Sequence, residues 1–208
     1  MRPYTNYIHK SMLPLSDGRP IVHHVIDHCY KHKLKPIICV SANSFFNQLQ
    51  SACLDEDFSC SPRPSGTAGE VLIASNNYLK GEEDFFIYYG DTITNVDITK
   101  MYEFHKRHNF LATICAVKGF KCEYGIINGH KTVSSLQEKP MMPNYICTGA
   151  FWANKRILKF LQPDTDFMKD VFPLLLKKGH KLGLWKHRGF YYDVGNISNY
   201  EKALEHDI

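Results

Sequence analysis

Two aspartates stand where apolar runs end. Asp91 follows Asp84-Phe85-Phe86-Ile87-Tyr88-Tyr89 and Gly90, and Asp193 follows Phe190-Tyr191-Tyr192, with Gly195 just beyond. The carboxyl ends of strands are where open α/β sheets bind ligands. Two carboxylates placed there can share a Mg²⁺ that also touches phosphate oxygens. Gly90 lets a ligand approach the backbone closely. Taken singly, each aspartate equally fits a strand end or a helix cap. Three further fragments carry polar chemistry. Lys10-Ser11-Met12-Leu13-Pro14 puts a lysine on a polar loop before an apolar turn. Glu138-Lys139-Pro140 puts a carboxylate, which accepts hydrogen bonds from hydroxyls, beside a lysine, which neutralises phosphate. Gly66-Thr67-Ala68-Gly69 could cradle a base or phosphate with its backbone N–H groups at a helix start.

Other reactive residue types read as structure. The seven cysteines are odd in number and form no Cys-x-x-Cys, which disfavours a zinc site or a disulfide framework. Reduced thiols in a cytosolic protein are expected. Cys39, Cys115 and Cys147 lie in apolar strand-like runs and read as core. His24, His28 and His32 share one helical face, expected to be a solvated polar face opposite Ile21, Val25 and Cys29. Trp152 and Trp185 read as core or lobe packing. Tyr88, Tyr89, Tyr191 and Tyr192 flank the two aspartates, and strand alternation lets at most one of each pair face them.

The elements that must position these groups alternate between helix and strand, which argues for an α/β fold with a largely parallel sheet. A helix is expected over 20–33 from Pro20, a buried strand over 36–40, and a helix over 44–52. A turn-rich loop follows over 61–69, then a helix from Glu70 to Leu79. A central strand is expected over 84–89, a helix over 98–108 and a strand over 111–117. Asn128-Gly129 marks a hairpin between 124–127 and 132–136. A strand over 148–153 precedes a helix over 166–178, with Pro173 as a kink. Strands over 181–193, turning near Arg188-Gly189, lead to a last helix capped by Ser198 with Glu201 completing a capping box.

Apolar residues make up 44% of the 208 and charged residues 22%, the composition of a folded domain. The net charge of +4 is spread along the chain without a long run of like charges, which argues against a nucleic-acid partner. There is no secretory leader pattern and no apolar run of about eighteen residues, so no membrane partner is expected and a cytoplasmic location is.

In this order, the fragments resemble the sugar-1-phosphate nucleotidyltransferases, which make nucleoside-diphosphate sugars from an NTP and a sugar 1-phosphate. Arg2-Pro3-Tyr4-Thr5 with Lys10-Ser11-Met12-Leu13-Pro14 is similar to the family's opening stretch, and Gly66-Thr67-Ala68-Gly69 to its base-recognition loop. Gly90-Asp91 resembles the nucleotide-side metal motif, and Tyr192-Asp193-Val194-Gly195 the second metal motif. Tyr124-Gly125, Glu138-Lys139-Pro140, and Asn144-Tyr145 with Thr148-Gly149 resemble the sugar pocket. Tyr191 stands where tryptophan is common and Asn196 where threonine is common. The family's Gly-Gly-x-Gly-Thr-Arg opening is not in this sequence, which starts just after where that arginine would lie.

The resemblance implies a Rossmann-like, mixed and mostly parallel sheet with flanking helices, the nucleotide-diphospho-sugar transferase fold with its first strand missing. It implies one domain over 1–208 with a sugar-binding lobe at about 118–193, and a possible homo-oligomer. Lys10, Asp91, Lys139 and Asp193 are the implied catalytic residues, with Mg²⁺ on Asp91 and Asp193. The nucleotide side comprises Lys10, Gly66, Thr67, Gly69, Gly90 and Asp91. The sugar-phosphate side comprises Tyr124, Gly125, Glu138, Lys139, Asn144, Thr148 and Gly149. The implied reaction is guanylyl or thymidylyl transfer to a hexose or heptose 1-phosphate. A binding module that keeps only the sugar-phosphate half-site is the alternative. A metal-dependent glycosyltransferase ranks below both, because Asp91 is followed by Thr92-Ile93 and not by the Asp-x-Asp pattern.

Overall fold

The computed structural model describes residues 1–42 and 45–205. Its strands are β1 (Ile37–Ser41), β2 (Asp57–Ser61), β3 (Asp84–Tyr88), β4 (Thr92–Thr94), β5 (Ala112–Lys121), β6 (Ile126–Gly129), β7 (Val133–Gln137), β8 (Met141–Asn154), β9 (Gly183–His187) and β10 (Tyr191–Asp193). Its α-helices are α1 (Ile21–Lys31), α2 (Phe46–Ala52), α3 (Gly66–Tyr78), α4 (Ile98–His108), α5 (Phe172–Lys177) and α6 (Ile197–Leu204).

The main sheet has the order β3-β8-β5-β9. β8 runs antiparallel to both β3 and β5, while β5 and β9 are parallel, so three of the four strands point one way. Both faces are covered. Phe151 and Ala153 of β8 are buried with Ile87, Phe167, Phe172 and Leu175, on the side of α3 and α5. Ala150 and Trp152 alternate to the other side and are buried with Ile98, Met101 and Cys115. That two-sided burial explains the near-continuous apolar run of β8.

β1 and β2 form a separate parallel pair, and β4 and β10 an antiparallel one. Among the described residues, β1 pairs only with β2 and β3 only with β8. Helix α3 packs against β1 and β2, while its Ala68, Val71 and Leu72 reach the core under β3 and β8. It therefore bridges the two sheets.

Several local expectations shift, for physical reasons. Pro20 is the N-cap of α1 and not its first residue. α2 starts at Phe46; Ser44 of the expected helix lies outside the described residues. β2 carries no apolar alternation, because its buried positions are Ser59 and Ser61, and so it is silent in the sequence. α3 starts at Gly66, which makes the glycine stretch the first turn of the helix. The hairpin turn falls at His130–Thr132, with Asn128 and Gly129 inside β6 and a register shift between them. Over 167–171 the helix is wider, with the Val171 N–H donating to the Asp166 carbonyl at 3.1 Å; Pro173, which lacks an N–H, falls in the first turn of α5 behind it. The cap of α6 is Asn196, whose side chain accepts from the Asn199 N–H at 2.8 Å, and not Ser198.

Two side-chain expectations are corrected. His28 is not solvated: its Nε2 bonds the Val96 carbonyl at 2.9 Å and its ring lies edge-on to Tyr88. Asp27, Tyr30 and Lys31 form the exposed face of α1 instead. Cys39 is exposed, because it alternates with Val40, which takes the core side of β1. Cys115 and Trp152 are buried as expected.

Candidate active site

Lys10 opens a short 3₁₀ turn, Lys10–Met12, whose N-cap is His9. The His9 ring accepts from the Ser11 N–H, and the His9 N–H donates to Gln48. The turn is thereby fastened to α2. From it the Lys10 ammonium donates to the Asp91 carboxylate, with both side chains partly buried. Asp91 follows β3, and its carbonyl accepts the Val194 N–H at 2.9 Å. Next to that bond, Asp193 pairs with Thr92 across β10 and β4. The two aspartates, 102 positions apart in sequence, are thus joined through backbone.

Burial, then the neighbouring Asp91, raise the Asp193 carboxyl above its ordinary value, and Lys10 partly offsets them. No described donor hydrogen-bonds the Asp193 carboxylate. Gly195 leaves room for it, since a Cβ there would come within 3.0 Å of its Oδ2. A Cβ at Gly90 would meet only Ser11, at 4.0 Å, so packing does not demand a glycine there. The tyrosines sort as alternation requires. Tyr88 packs into the core beside Phe86. Tyr89 and Tyr191 lie within the electrostatic reach of Asp91, and burial raises both phenols.

The first turn of α3 lies at the same rim, because the Tyr89 hydroxyl donates to Thr67 Oγ1 at 3.5 Å. Three of its N–H groups, however, are not free for a phosphate. Thr67 N–H donates to Asp166 at 2.9 Å, and Ala68 and Gly69 N–H donate to the Thr165 carbonyl at 2.9 and 3.3 Å. At Gly66, φ +73°, the Thr165 backbone leaves no room for a Cβ, and at Gly69 a Cβ would meet the Ser65 side chain. The 164–166 segment thus occupies three donors of the expected N–H cradle.

The residues expected on the sugar side form a second, open group. Tyr124, Glu138, Lys139 and Asn144 are exposed around the β6–β7 hairpin. A Cβ at Gly125 would come within 3.0 Å of Glu138 Oε2, which brings the two motifs together. Lys139 Nζ lies 4.0 Å from Glu138 Oε1. Gly149, at φ +75°, lies under the Tyr89 ring, and its carbonyl accepts the Tyr89 N–H. Thr148 is fully buried and its hydroxyl donates to the Cys115 carbonyl at 3.2 Å.

Known proteins share the fold that carries this rim. The family model described as nucleotidyl transferase matches residues 1–208. The chain belongs to the nucleotidyl transferase family. A mannose-1-phosphate guanyltransferase of Emericella nidulans is 26% identical over 216 residues, spanning 96% of this chain. The chain spans only 58% of that relative's length. Among solved structures, a putative glucose-1-phosphate thymidylyltransferase from Bacillus anthracis superposes with a TM-score of 0.76 at 18% identity, over 99% of this chain and 89% of the other. HddC from Yersinia pseudotuberculosis, complexed with GMP-PN, gives 0.75 at 20% identity, over 99% and 92%. Both share the mixed α/β fold.

Two residues of this rim, Asp166 and Glu70, escape sequence reasoning. Asp166 meets Thr67 across 99 residues, and no local pattern announces such a contact. Tyr89 had only strand alternation to single it out. Glu70 accepts from Ser61 Oγ at 2.7 Å and from the Ser65 N–H at 3.1 Å, so it closes the loop before α3. Its signal is its place directly after the glycine stretch.

Proposed function

We propose that this chain transfers a nucleoside monophosphate from an NTP to a sugar 1-phosphate, releasing pyrophosphate. The observation that carries the reading is the Lys10–Asp91 pair beside the unpaired, half-buried Asp193. Such a carboxylate, raised by burial and by its neighbour, suits a divalent cation. Asp91 and Asp193 would hold Mg²⁺, which would neutralise charge on the reacting phosphates.

The chain's own residues position the reactants. Lys10 moves from Asp91 to the NTP phosphates. Gly90, for which packing gives no reason, leaves space for the α-phosphate. Lys139 holds the sugar phosphate against like-charge repulsion, and Glu138 accepts from sugar hydroxyls beside Tyr124, Gly125, Asn144 and Gly149. A sugar-phosphate oxygen attacks the α-phosphorus, the bond to the bridging oxygen breaks, and pyrophosphate leaves with that electron pair. No protein nucleophile or base is needed, since the attacking phosphate is already ionised; positioning and charge neutralisation carry the step. The lobe at about 118–193 supplies the sugar side. The base is read at the loop before α3, and guanylyl transfer is favoured over thymidylyl.

The test is pyrophosphate release with NTPs and sugar 1-phosphates offered singly and together. The reading predicts release only when both are present with Mg²⁺. It predicts a fall on the order of 10²–10³-fold for Lys139→Ala. Release without a sugar phosphate, or none with any pair, would refute it.

A further inference from the structure

Among the described residues, one buried side-chain oxygen lacks a hydrogen-bond partner: Oε2 of Glu70. The other oxygen, Oε1, is held by Ser61 Oγ at 2.7 Å and the Ser65 N–H at 3.1 Å. Those bonds fix the carboxylate between the end of β2 and the start of α3, the rim on which Thr67 meets Tyr89 and hence Gly90-Asp91. A buried acceptor left without a donor is destabilising. No described residue compensates it, whereas the same oxygen gains a partner if a ligand supplies an N–H.

We propose that Glu70 is a specificity-determining residue that selects guanine, its free oxygen accepting from the base's donor edge. The proposal rests on the nucleotidyl-transfer reading and deepens it. A carboxylate only accepts hydrogen bonds. Guanine presents two adjacent donors, N1–H and the N2 amine. Thymine and uracil flank their single N3–H with two carbonyl oxygens, which a carboxylate repels. Adenine sets its N6 amine beside an acceptor. At the start of α3 the N–H groups of Thr67, Ala68 and Gly69 are already bonded to Asp166 and Thr165. The acceptor left without a partner at this rim is Glu70 Oε2. The oxygen is covered in the free chain, so a base reaches it only once the connection from Ser61 to Ser65, which holds the carboxylate, opens.

The experiment is calorimetric titration of the 208-residue protein with Mg²⁺-GTP and Mg²⁺-dTTP, for wild type and Glu70→Gln, with thermal unfolding run alongside. Glutamine keeps an oxygen for Ser61 and Ser65 and replaces the free acceptor with a donor. Wild type is expected to prefer GTP. Glu70→Gln is expected to weaken GTP by about tenfold to a hundredfold and to strengthen dTTP. Equal weakening of both nucleotides would leave Glu70 a loop clamp and overturn the proposal, as would wild type binding dTTP as tightly as GTP. Binding of neither nucleotide by wild type would instead sink the underlying nucleotidyl-transfer reading.

Discussion

At the residue scale, a side chain's chemistry depends on which way it faces. Thr148 matches a sugar-pocket motif by type and order, yet its hydroxyl is buried on the Cys115 carbonyl. Thr148→Val is therefore expected to cost about 0.5–1.5 kcal/mol of stability and to leave the KM for sugar phosphate unchanged; unfolding curves with steady-state kinetics check both. His28 gives a second expectation. Burial holds its imidazole neutral, with its pKa lowered to about 4 from the usual 6.5. A folded-state pKa below the unfolded one contributes stability that is present above pH 6.5 and is lost as pH falls towards 4. The melting temperature of wild type should drop across that interval, and the drop should shrink in His28→Gln, which can still donate to Val96. The two aspartates proposed to hold the metal, and the lysines, stand out in the sequence because each lies at a strand or turn boundary. Asp166 is not, because its role comes from a contact across 99 residues.

At the element scale, periodicity recovers what is repeated and misses what is local or polar. α1, α4 and the apolar part of β8 follow from their patterns. β2 does not, since serines occupy its buried positions. The cap of α6 shows how close competitors are resolved. Asn196 and Ser198 both suit an N-cap, and only the backbone decides between them: Asn196 is extended at φ −143°, ψ 169°, and accepts from Asn199. Asn196→Ala should cost about 0.5–2 kcal/mol and Ser198→Ala almost nothing in chemical denaturation. Equal costs would return the cap to Ser198. The glycines of α3 teach a related point: a glycine stretch at a helix start suggests phosphate, but here the segment 164–166 takes three of the donors.

At the scale of the whole molecule, the α/β class and the reversed β8 within an otherwise co-directional sheet place the carboxyl ends of strands at one rim, where the chemistry gathers. The alternation of helix and strand makes the class legible. The separation of β1–β2 from the main sheet is not, because strand partners lie far apart in sequence. That separation has a measurable consequence. β5 and β8 lie between covered faces, whereas β1 pairs with β2 alone among the described residues. Hydrogen exchange should therefore deprotect the amides of β1 and β2 well before those of β5 and β8, and uniform protection would contradict a two-part sheet. The sugar-side group is set apart too, on the exposed hairpin, so the two substrates would meet across the rim. What joins the nucleotide side to that rim is the pair Asp91 and Asp193. Electron paramagnetic resonance of Mn²⁺ titrated with protein and GTP tests it most directly. Wild type should immobilise the ion only when nucleotide is present, and Asp91→Asn and Asp193→Asn should each weaken that complex at least about tenfold. Immobilisation undiminished in both variants would contradict the account.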